Sequence, residues 1–249
     1  MIHYHAASVG DHQIFYREAG DPNQPSLLLL HGFPSSSHMF RNLMPLLSDR
    51  FHIIAPDLPG FGFSQSPPRS QFKYTFDNLA TAIEAFTEVV RLQRYALYVF
   101  DYGAPVGYRL AMRHPDRVTA IVSQNGNAYK EGLSDAWDPI RRYWAEPTTK
   151  NREVVRDALL TFEGTRWQYT HGVANPEMIA PESYTLDAAL LERPGNKDIQ
   201  LDYRRDNPNA VVEFLDTGHF ALETHFEKIA DEIGRLMDRA SKRAQTMAQ

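Results

Sequence analysis

Strand-like and helix-like segments alternate along the first half of this chain, and this alternation restricts the possible folds more than any other feature. Between two apolar runs, Leu79, Ile83, Phe86 and Val90 recur at steps of four, three and four, the spacing of one helix face. A strand, a crossover helix and a second strand place the two strands parallel. The pattern therefore predicts an α/β fold with a mostly parallel sheet. Its strands are expected at residues 2–9, 13–19, 27–30, 51–55, 96–100 and 118–123.

The second half of the chain changes character at about Asn125. Strand patterns are absent over the next 75 residues or so, and helical pieces are expected at 138–144 and 154–162. A strand at 211–215 and an amphipathic helix with apolar residues from Leu222 to Leu236 close the chain. We predict a core formed by 1–124 and 203–249, interrupted by a helical insertion at 125–202.

Charge and composition exclude several classes of protein. The chain carries 26 Lys and Arg against 31 Asp and Glu, a net charge of -5, which argues against nucleic acid as a partner. No segment approaches the roughly 18 apolar residues of a membrane span. The chain has 0 cysteines, which excludes a thiolate nucleophile. Its first residues lack a basic stretch followed by an apolar one, so we expect a cytoplasmic protein without a membrane partner.

Metal ions and organic cofactors are not expected. The histidines show no metal-ligand spacing such as H-E-x-x-H. Gly60-Phe61-Gly62 lacks the remainder of a phosphate-binding loop and is interpreted as a turn after a strand.

Three junctions directly follow predicted strands and carry polar residues. They are His31-Gly32-Phe33-Pro34, Asp101-Tyr102-Gly103 and Gly218-His219-Phe220. The carboxyl ends of parallel strands share one edge of the sheet, where ligands bind. Gly103 and Gly107 leave room for a tight strand-to-helix turn that would expose the side chain of residue 101. The three junctions therefore predict a single site.

The order of a nucleophile followed by a histidine near the carboxyl terminus resembles the α/β-hydrolase family. The stretches HGFPSSSHMFRNLMPLL, FHIIAPDLPGFGFS and LDTGHFALE carry the resemblance, which covers most of the chain. Most members have a serine in a G-x-S-x-G elbow, whereas V-F-D-Y-G here is similar to the aspartate branch, the epoxide hydrolases and haloalkane dehalogenases. In that family the helical insertion is a cap over the site.

The resemblance implies a role for each junction. Asp101 would attack an electrophilic sp3 carbon, and water activated by His219 would hydrolyse the resulting ester. The backbone N–H groups of Phe33 and Tyr102 would form the oxyanion hole, and His31 is interpreted as structural. The expected partners are a small, largely apolar electrophile and water.

Aromatic residues of the insertion are the candidates for binding substrate. Epoxide hydrolases use cap tyrosines to protonate the ring oxygen, whereas dehalogenases hold the halide with indole N–H groups. Tyr102 and Phe33 stand at positions where dehalogenases often carry such donors, which favours the epoxide hydrolase. A dehalogenase remains the alternative, and packing is the alternative role for each aromatic residue. The candidates are Tyr143, Trp144, Trp167 and Tyr169, with Tyr184 and Trp137 as further members of the group.

The acid that orients the histidine in this family has no evident counterpart. Ser123 is followed by Gln124 and Asn125, which are amides. A strand-helix unit needs about 30 residues, and the short interval between Asp202 and the strand at 211–215 cannot hold one. We therefore infer an internal deletion after about Asp202, which leaves Asp202, Asp206 and Asp216 as poor substitutes for the acid.

A second hypothesis follows from the missing acid. The chain could be an impaired hydrolase that binds a small apolar ligand without turnover. The aromatic helices could also form a dimer surface, and the sequence leaves the oligomeric state open.

Overall fold

Six strands form one sheet in a computed structural model that describes residues 1–126, 137–196 and 217–247, with side chains up to 240. The strands are β1 (His3–Val9), β2 (His12–Ala19), β3 (Ser26–Leu30), β4 (His52–Pro56), β5 (Tyr95–Phe100) and β6 (Val118–Gln124). Their order across the sheet is β1-β2-β4-β3-β5-β6. The hairpin β1-β2 joins β4 in antiparallel pairing, and β4, β3, β5 and β6 run parallel. The predicted fold class is thereby confirmed.

Both faces of the central strands β3 and β5 are covered, and successive side chains of each strand point to opposite sides of the sheet. Leu28, Leu30, Leu97 and Val99 pack on one side with α2 (Phe76–Val89) and α3 (Gly103–Arg113). Their neighbours in β3 and β5 pack on the other side with α1 (Leu43–Leu47) and α8 (Phe226–Met247). The sequences of these strands are apolar without interruption because both of their faces are buried.

The described part of the predicted insertion, residues 137–196, is helical. It contains α4 (Asp138–Ala145), α5 (Thr149–Leu159), α6 (Phe162–Thr170) and α7 (Pro181–Leu191). Phe162 begins a new helix rather than ending the preceding one, because Thr161 is extended and its side chain accepts a hydrogen bond from the Gly164 N–H. The division of the chain at 124 and 202 stays a prediction.

Two sequence-based predictions lie outside the described residues: the strand at 211–215 and the proposed deletion after Asp202. Within the described ranges, no helix has both the length and the apolar character that a bilayer span requires.

Candidate active site

The sheet brings Asp101 and the loop after β3 together. β3 and β5 are parallel neighbours, so their carboxyl ends meet at one edge of the sheet. Asp101 follows β5 directly with φ 47°, in the left-handed region that side chains rarely adopt. A Cβ on Gly103 would lie 2.3 Å from the Leu30 carbonyl oxygen, so only glycine allows α3 to begin this close to β3. The local geometry is that of a sharp elbow with Asp101 at its tip.

Backbone donors hold the Asp101 carboxylate. The Phe33 N–H donates to Oδ1 at 2.8 Å, and the Tyr102 N–H is a second backbone donor to this carboxylate. Gly32 packs against the same side chain, since a Cβ there would lie 2.4 Å from Asp101 Cβ. The structure thus brings Asp101, Phe33 and Tyr102 together in the arrangement expected for a carboxylate and its oxyanion hole.

Burial dominates the electrostatics of Asp101. Loss of solvation raises the pKa of its carboxyl above the ordinary value. His219, the two backbone N–H groups and His31 act in the opposite direction and favour the ionised form. The Asp101 side chain keeps 11% of its surface exposed.

His219 lies on the same edge of the sheet as Asp101. Its Nε2 is 3.9 Å from Asp101 Oδ2, and its ring packs on Phe100 with centroids 4.7 Å apart. Burial lowers the pKa of His219, while the Asp101 charge raises it. A histidine with a lowered pKa stays neutral at neutral pH, as a general base requires.

Among the described residues, Asp101 is the one carboxylate within 4 Å of a His219 ring nitrogen. The end of β6 carries Gln124 and Asn125, whose side-chain amides both donate to the His219 main-chain carbonyl. Asp202, Asp206 and Asp216 lie outside the described residues.

His31 joins two loops below the site. Its Nε2 accepts a hydrogen bond from the Leu58 N–H at 2.9 Å, and its Nδ1 therefore donates to the Gly32 carbonyl at 2.9 Å. The ring is fully buried, and loss of solvation lowers its pKa. A neutral imidazole with both nitrogens engaged suits the structural role expected of it.

Two substrate-binding candidates, Tyr143 and Trp144, line one cavity of about 360 Å3 between α4 and the segment before α2. Arg69 and Lys73 lie on its opposite wall. Phe76, which follows this segment, packs on the Tyr102 ring at 5.3 Å. The lining of this cavity does not include Asp101. A second cavity of about 300 Å3 lies between the β1-β2 hairpin and α2, and its lining does not include Asp101.

Two further candidates lie on α6. Tyr169 is buried, stacks on Phe220 at 3.8 Å and donates its hydroxyl hydrogen bond to Asp187. Trp167 is 52% exposed and stacks on His171. Tyr184 lies between Phe162 and Tyr169, in contact with both rings. Tyr169 is thus the candidate that packs against the His219 loop, whereas Trp167 faces the surface.

A polar network beside the site had no signal in the sequence. Arg41 forms two hydrogen bonds with Glu223, at 3.1 and 2.8 Å, and a third with Ser183 of α7 at 2.7 Å. The Ser183 hydroxyl also donates to Glu223, so three distant segments meet. Asp187 is buried nearby, and loss of solvation raises its pKa to about 8.

No group of three or more metal-binding side chains forms within the ranges that the structure describes.

Comparisons with known proteins identify the family and the fold of the chain. A family model described as the alpha/beta hydrolase fold matches residues 25–168. An uncharacterized hydrolase of Saccharomyces cerevisiae is 41% identical, and the alignment covers 94% of this chain and 96% of the yeast protein. That alignment spans 283 positions, whereas 94% of 249 residues is only about 234. About 50 positions of the alignment therefore have no residue in this chain, which supports the inferred internal deletion without locating it.

More distant relatives cover less of the chain or share the fold alone. A haloalkane dehalogenase of Bradyrhizobium diazoefficiens is 41% identical over 106 residues, which cover 43% of this chain and 33% of the dehalogenase. The solved structure of the epoxide hydrolase CorEH without ligand superimposes with a TM-score of 0.75 at 17% identity, covering 96% of this chain and 99% of its own.

Proposed function

The chain belongs to the alpha/beta hydrolase fold family, and on this premise we propose that it is a hydrolase that acts through a covalent ester on Asp101, most like an epoxide hydrolase. The observation that carries the proposal is the buried carboxylate at the tip of the elbow, with Phe33 N–H on one oxygen and His219 beside the other. Its substrates are small, largely apolar electrophiles.

In the first step, Oδ2 of Asp101 attacks an sp3 carbon of the epoxide. The bond between that carbon and the ring oxygen breaks, and the oxygen takes up a proton to become a hydroxyl. Oδ2 is the oxygen suited to attack because Oδ1 accepts the Phe33 N–H. After attack, Oδ1 is the carbonyl oxygen of the ester and stays against the same donor.

In the second step, water attacks the ester carbonyl carbon. His219 takes the proton of that water, and negative charge develops on Oδ1. Each of the two backbone donors can stabilise this charge by up to about 3 kcal/mol. Collapse of the intermediate breaks the bond between the carbonyl carbon and Oδ2. The protonated His219 returns its proton to the departing alkoxide oxygen, and the diol is released.

The proton for the opening ring comes from a tyrosine of the helical insertion, which serves as a cap. Tyr143, Tyr169 and Tyr184 are the candidates, and Trp144 and Trp167 are proposed to contact substrate. The Tyr169 hydroxyl already donates to Asp187, so Tyr169 acts as a donor only if that hydrogen bond breaks.

We further propose that the second step is slow. An orienting carboxylate is absent beside His219 in the described residues, and loss of that partner lowers turnover by about 10⁴ in serine proteases. The first step does not require His219. The ester should therefore accumulate.

Intact-mass spectrometry after incubation with 1,2-epoxyhexane tests the proposal. We expect one added epoxide mass, located on Asp101 by peptide mapping and absent in Asp101→Ala. After release in H2¹⁸O, ¹⁸O in Asp101 would show that water attacks the ester. An unmodified mass without diol formation would refute the covalent mechanism.

Haloalkane dehalogenation is the second candidate because 106 residues of the chain align with a haloalkane dehalogenase at 41% identity. Incubation with 1-bromohexane in parallel separates the two: the halide route adds a hexyl group and releases bromide. Thermal stabilisation by both compounds without adduct or product would instead support an impaired protein that binds ligand.

A further inference from the structure

One carbonyl oxygen beside the site accepts two side-chain hydrogen bonds. Asn125 Nδ2 donates to the His219 main-chain oxygen at 2.7 Å, and Gln124 Nε2 donates to the same oxygen at 3.2 Å. We call Gln124 and Asn125 the amide pair. It joins the end of β6 directly to the loop that carries the proposed base.

The sheet itself orients the amide pair. Gln124 is the last residue of β6, and its Oε1 accepts the hydroxyl of the buried Tyr98 on β5. This hydrogen bond determines which end of the Gln124 amide faces His219. Asn125 follows with φ 46°, in the left-handed region that asparagine tolerates better than most residues. The chain thereby turns at the end of β6 so that both amides reach the same acceptor.

Packing restrains the residues around His219 on two further sides. The His219 ring packs on Phe100, and Phe220 stacks on Tyr169 of α6. A Cβ on Gly218 would lie 2.4 Å from the His171 carbonyl oxygen, so the end of α6 packs closely against this loop. The aromatic contacts restrain the side chains of His219 and Phe220, whereas the residues at the end of β6 restrain the main chain at His219.

We propose that Gln124 and Asn125 are positioning residues for His219, holding the base over Asp101 through its main-chain carbonyl. In this arrangement hydrogen bonds to the main chain of His219 set the position of its imidazole. An orienting carboxylate would instead bind the imidazole ring itself. The inference rests on the proposed function, because it assigns His219 to ester hydrolysis.

The amide pair should matter for one chemical step and not the other. Alkylation of Asp101 does not use His219, whereas hydrolysis of the ester does. In Asn125→Gly the left-handed backbone is retained and one donor is lost. We expect alkylation by 1,2-epoxyhexane within about twofold of the wild-type rate, and hydrolysis of the isolated adduct about fivefold slower, the effect of one ordinary hydrogen bond.

Arg91→Gly is the matched control. Arg91 also has a left-handed backbone, with φ 58°, and is exposed beyond the end of α2. Its replacement makes the same backbone change away from the site, and both rates should equal those of the wild type. Gln124→Met removes the other donor and should also slow hydrolysis alone. It carries the test if Asn125→Gly does not fold.

A second readout does not depend on turnover. Titration of the His219 imidazole by NMR should show its pKa moving up toward the ordinary value in both variants, because a loosened ring becomes better solvated. An absence of both adduct and diol in the wild type would refute the proposed function, and the titration alone would then decide the inference. If the adduct forms, unchanged rates of its hydrolysis in both variants would overturn the inference. If no adduct forms, an unchanged pKa of His219 in both variants would overturn the inference.

Discussion

Position 32 has to be glycine because a side chain there would collide with the proposed nucleophile, Asp101. A Cβ at this position would lie 2.4 Å from Asp101 Cβ and 2.6 Å from Oδ1, and the Asp101 side chain is itself held by the Phe33 N–H. The side chain has no room to move away without losing that hydrogen bond. A single methyl group at residue 32 therefore acts on the carboxylate directly.

Gly32→Ala should abolish the labelling of Asp101 by an epoxide and lower the free energy of unfolding by about 1–3 kcal/mol, the cost of overpacking. Gly10→Ala is the control, since its Cβ would meet nothing within 4 Å although its φ is 56°. It should lower stability by about 1–2 kcal/mol through backbone strain and leave labelling intact. Mass spectrometry and urea unfolding measure both effects, and full labelling of Gly32→Ala would contradict the contact.

The pH dependence of adduct formation follows from the burial of Asp101. Only the carboxylate attacks, and burial raises its pKa above the ordinary value of 3.8. As pH falls, the rate of alkylation should therefore decline at a pH higher than an exposed aspartate would require. Initial rates of adduct formation across pH test this, with circular dichroism to verify folding. A midpoint at or below 3.8 would contradict it.

Helices and loops from distant parts of the chain meet at the Arg41–Glu223 ion pair. Arg41 precedes α1, Glu223 lies four residues after His219, and Ser183 belongs to α7, in the predicted helical insertion. Glu223 is 3% exposed and Arg41 18%. A buried charge that loses its partner lowers the stability of the fold. The hydrogen bonds of this pair therefore hold α7 and the loop after His219 against the segment that precedes α1.

Glu223→Gln should lower the free energy of unfolding by about 3 kcal/mol, because Arg41 keeps its charge without a carboxylate. It should also speed proteolytic cleavage within residues 137–196, where α7 loses part of its anchorage. Asp238→Asn is the matched control: its ion pair with Arg50 is more than half exposed on both sides. This control should cost under about 1 kcal/mol. Urea unfolding compares the two, and equal losses would refute a structural role for the network.

The stability of the whole molecule should depend on pH through Asp187. This residue is buried, and its pKa is raised to about 8, chiefly by loss of solvation and further by the charges of Glu223 and Asp57. The Tyr169 hydroxyl and Arg41 act in the opposite direction. The folded state therefore holds a proton that the unfolded state has released, and stability falls as pH rises between the two pKa values.

Asp187→Asn removes this titration while keeping an acceptor for the Tyr169 hydroxyl. The Tm of the variant relative to the wild type should increase from about pH 5 to about pH 8, because the wild type loses stability over that interval. Thermal unfolding in buffers of matched ionic strength provides the measurement. A difference in Tm that is constant over this interval would show that Asp187 does not titrate there.

Much of the architecture could be predicted because its causes are local. Strand and helix periodicities depend on residues that are close together in the sequence, and the six strands formed within one residue of their predicted bounds. The elbow was predictable for the same reason: a strand, an aspartate and Gly103 with Gly107 leave few backbone solutions. The break at Thr161 was missed, since the apolar spacing continues across it and only the cap of α6 interrupts the helix.

The sequence by itself determined the layered fold, the parallel direction of β3, β5 and β6, and the edge at which Asp101, Phe33 and His219 were expected to meet. Tertiary structure alone decided that Gln124 and Asn125 bond the His219 carbonyl, that Arg41 binds Glu223, and that Asp187 is buried with Tyr169. The physical reason is separation along the chain. Arg41 and Glu223 are 182 residues apart, and no periodicity relates such positions, so their hydrogen bonds exist only once the sheet and helices have brought them together.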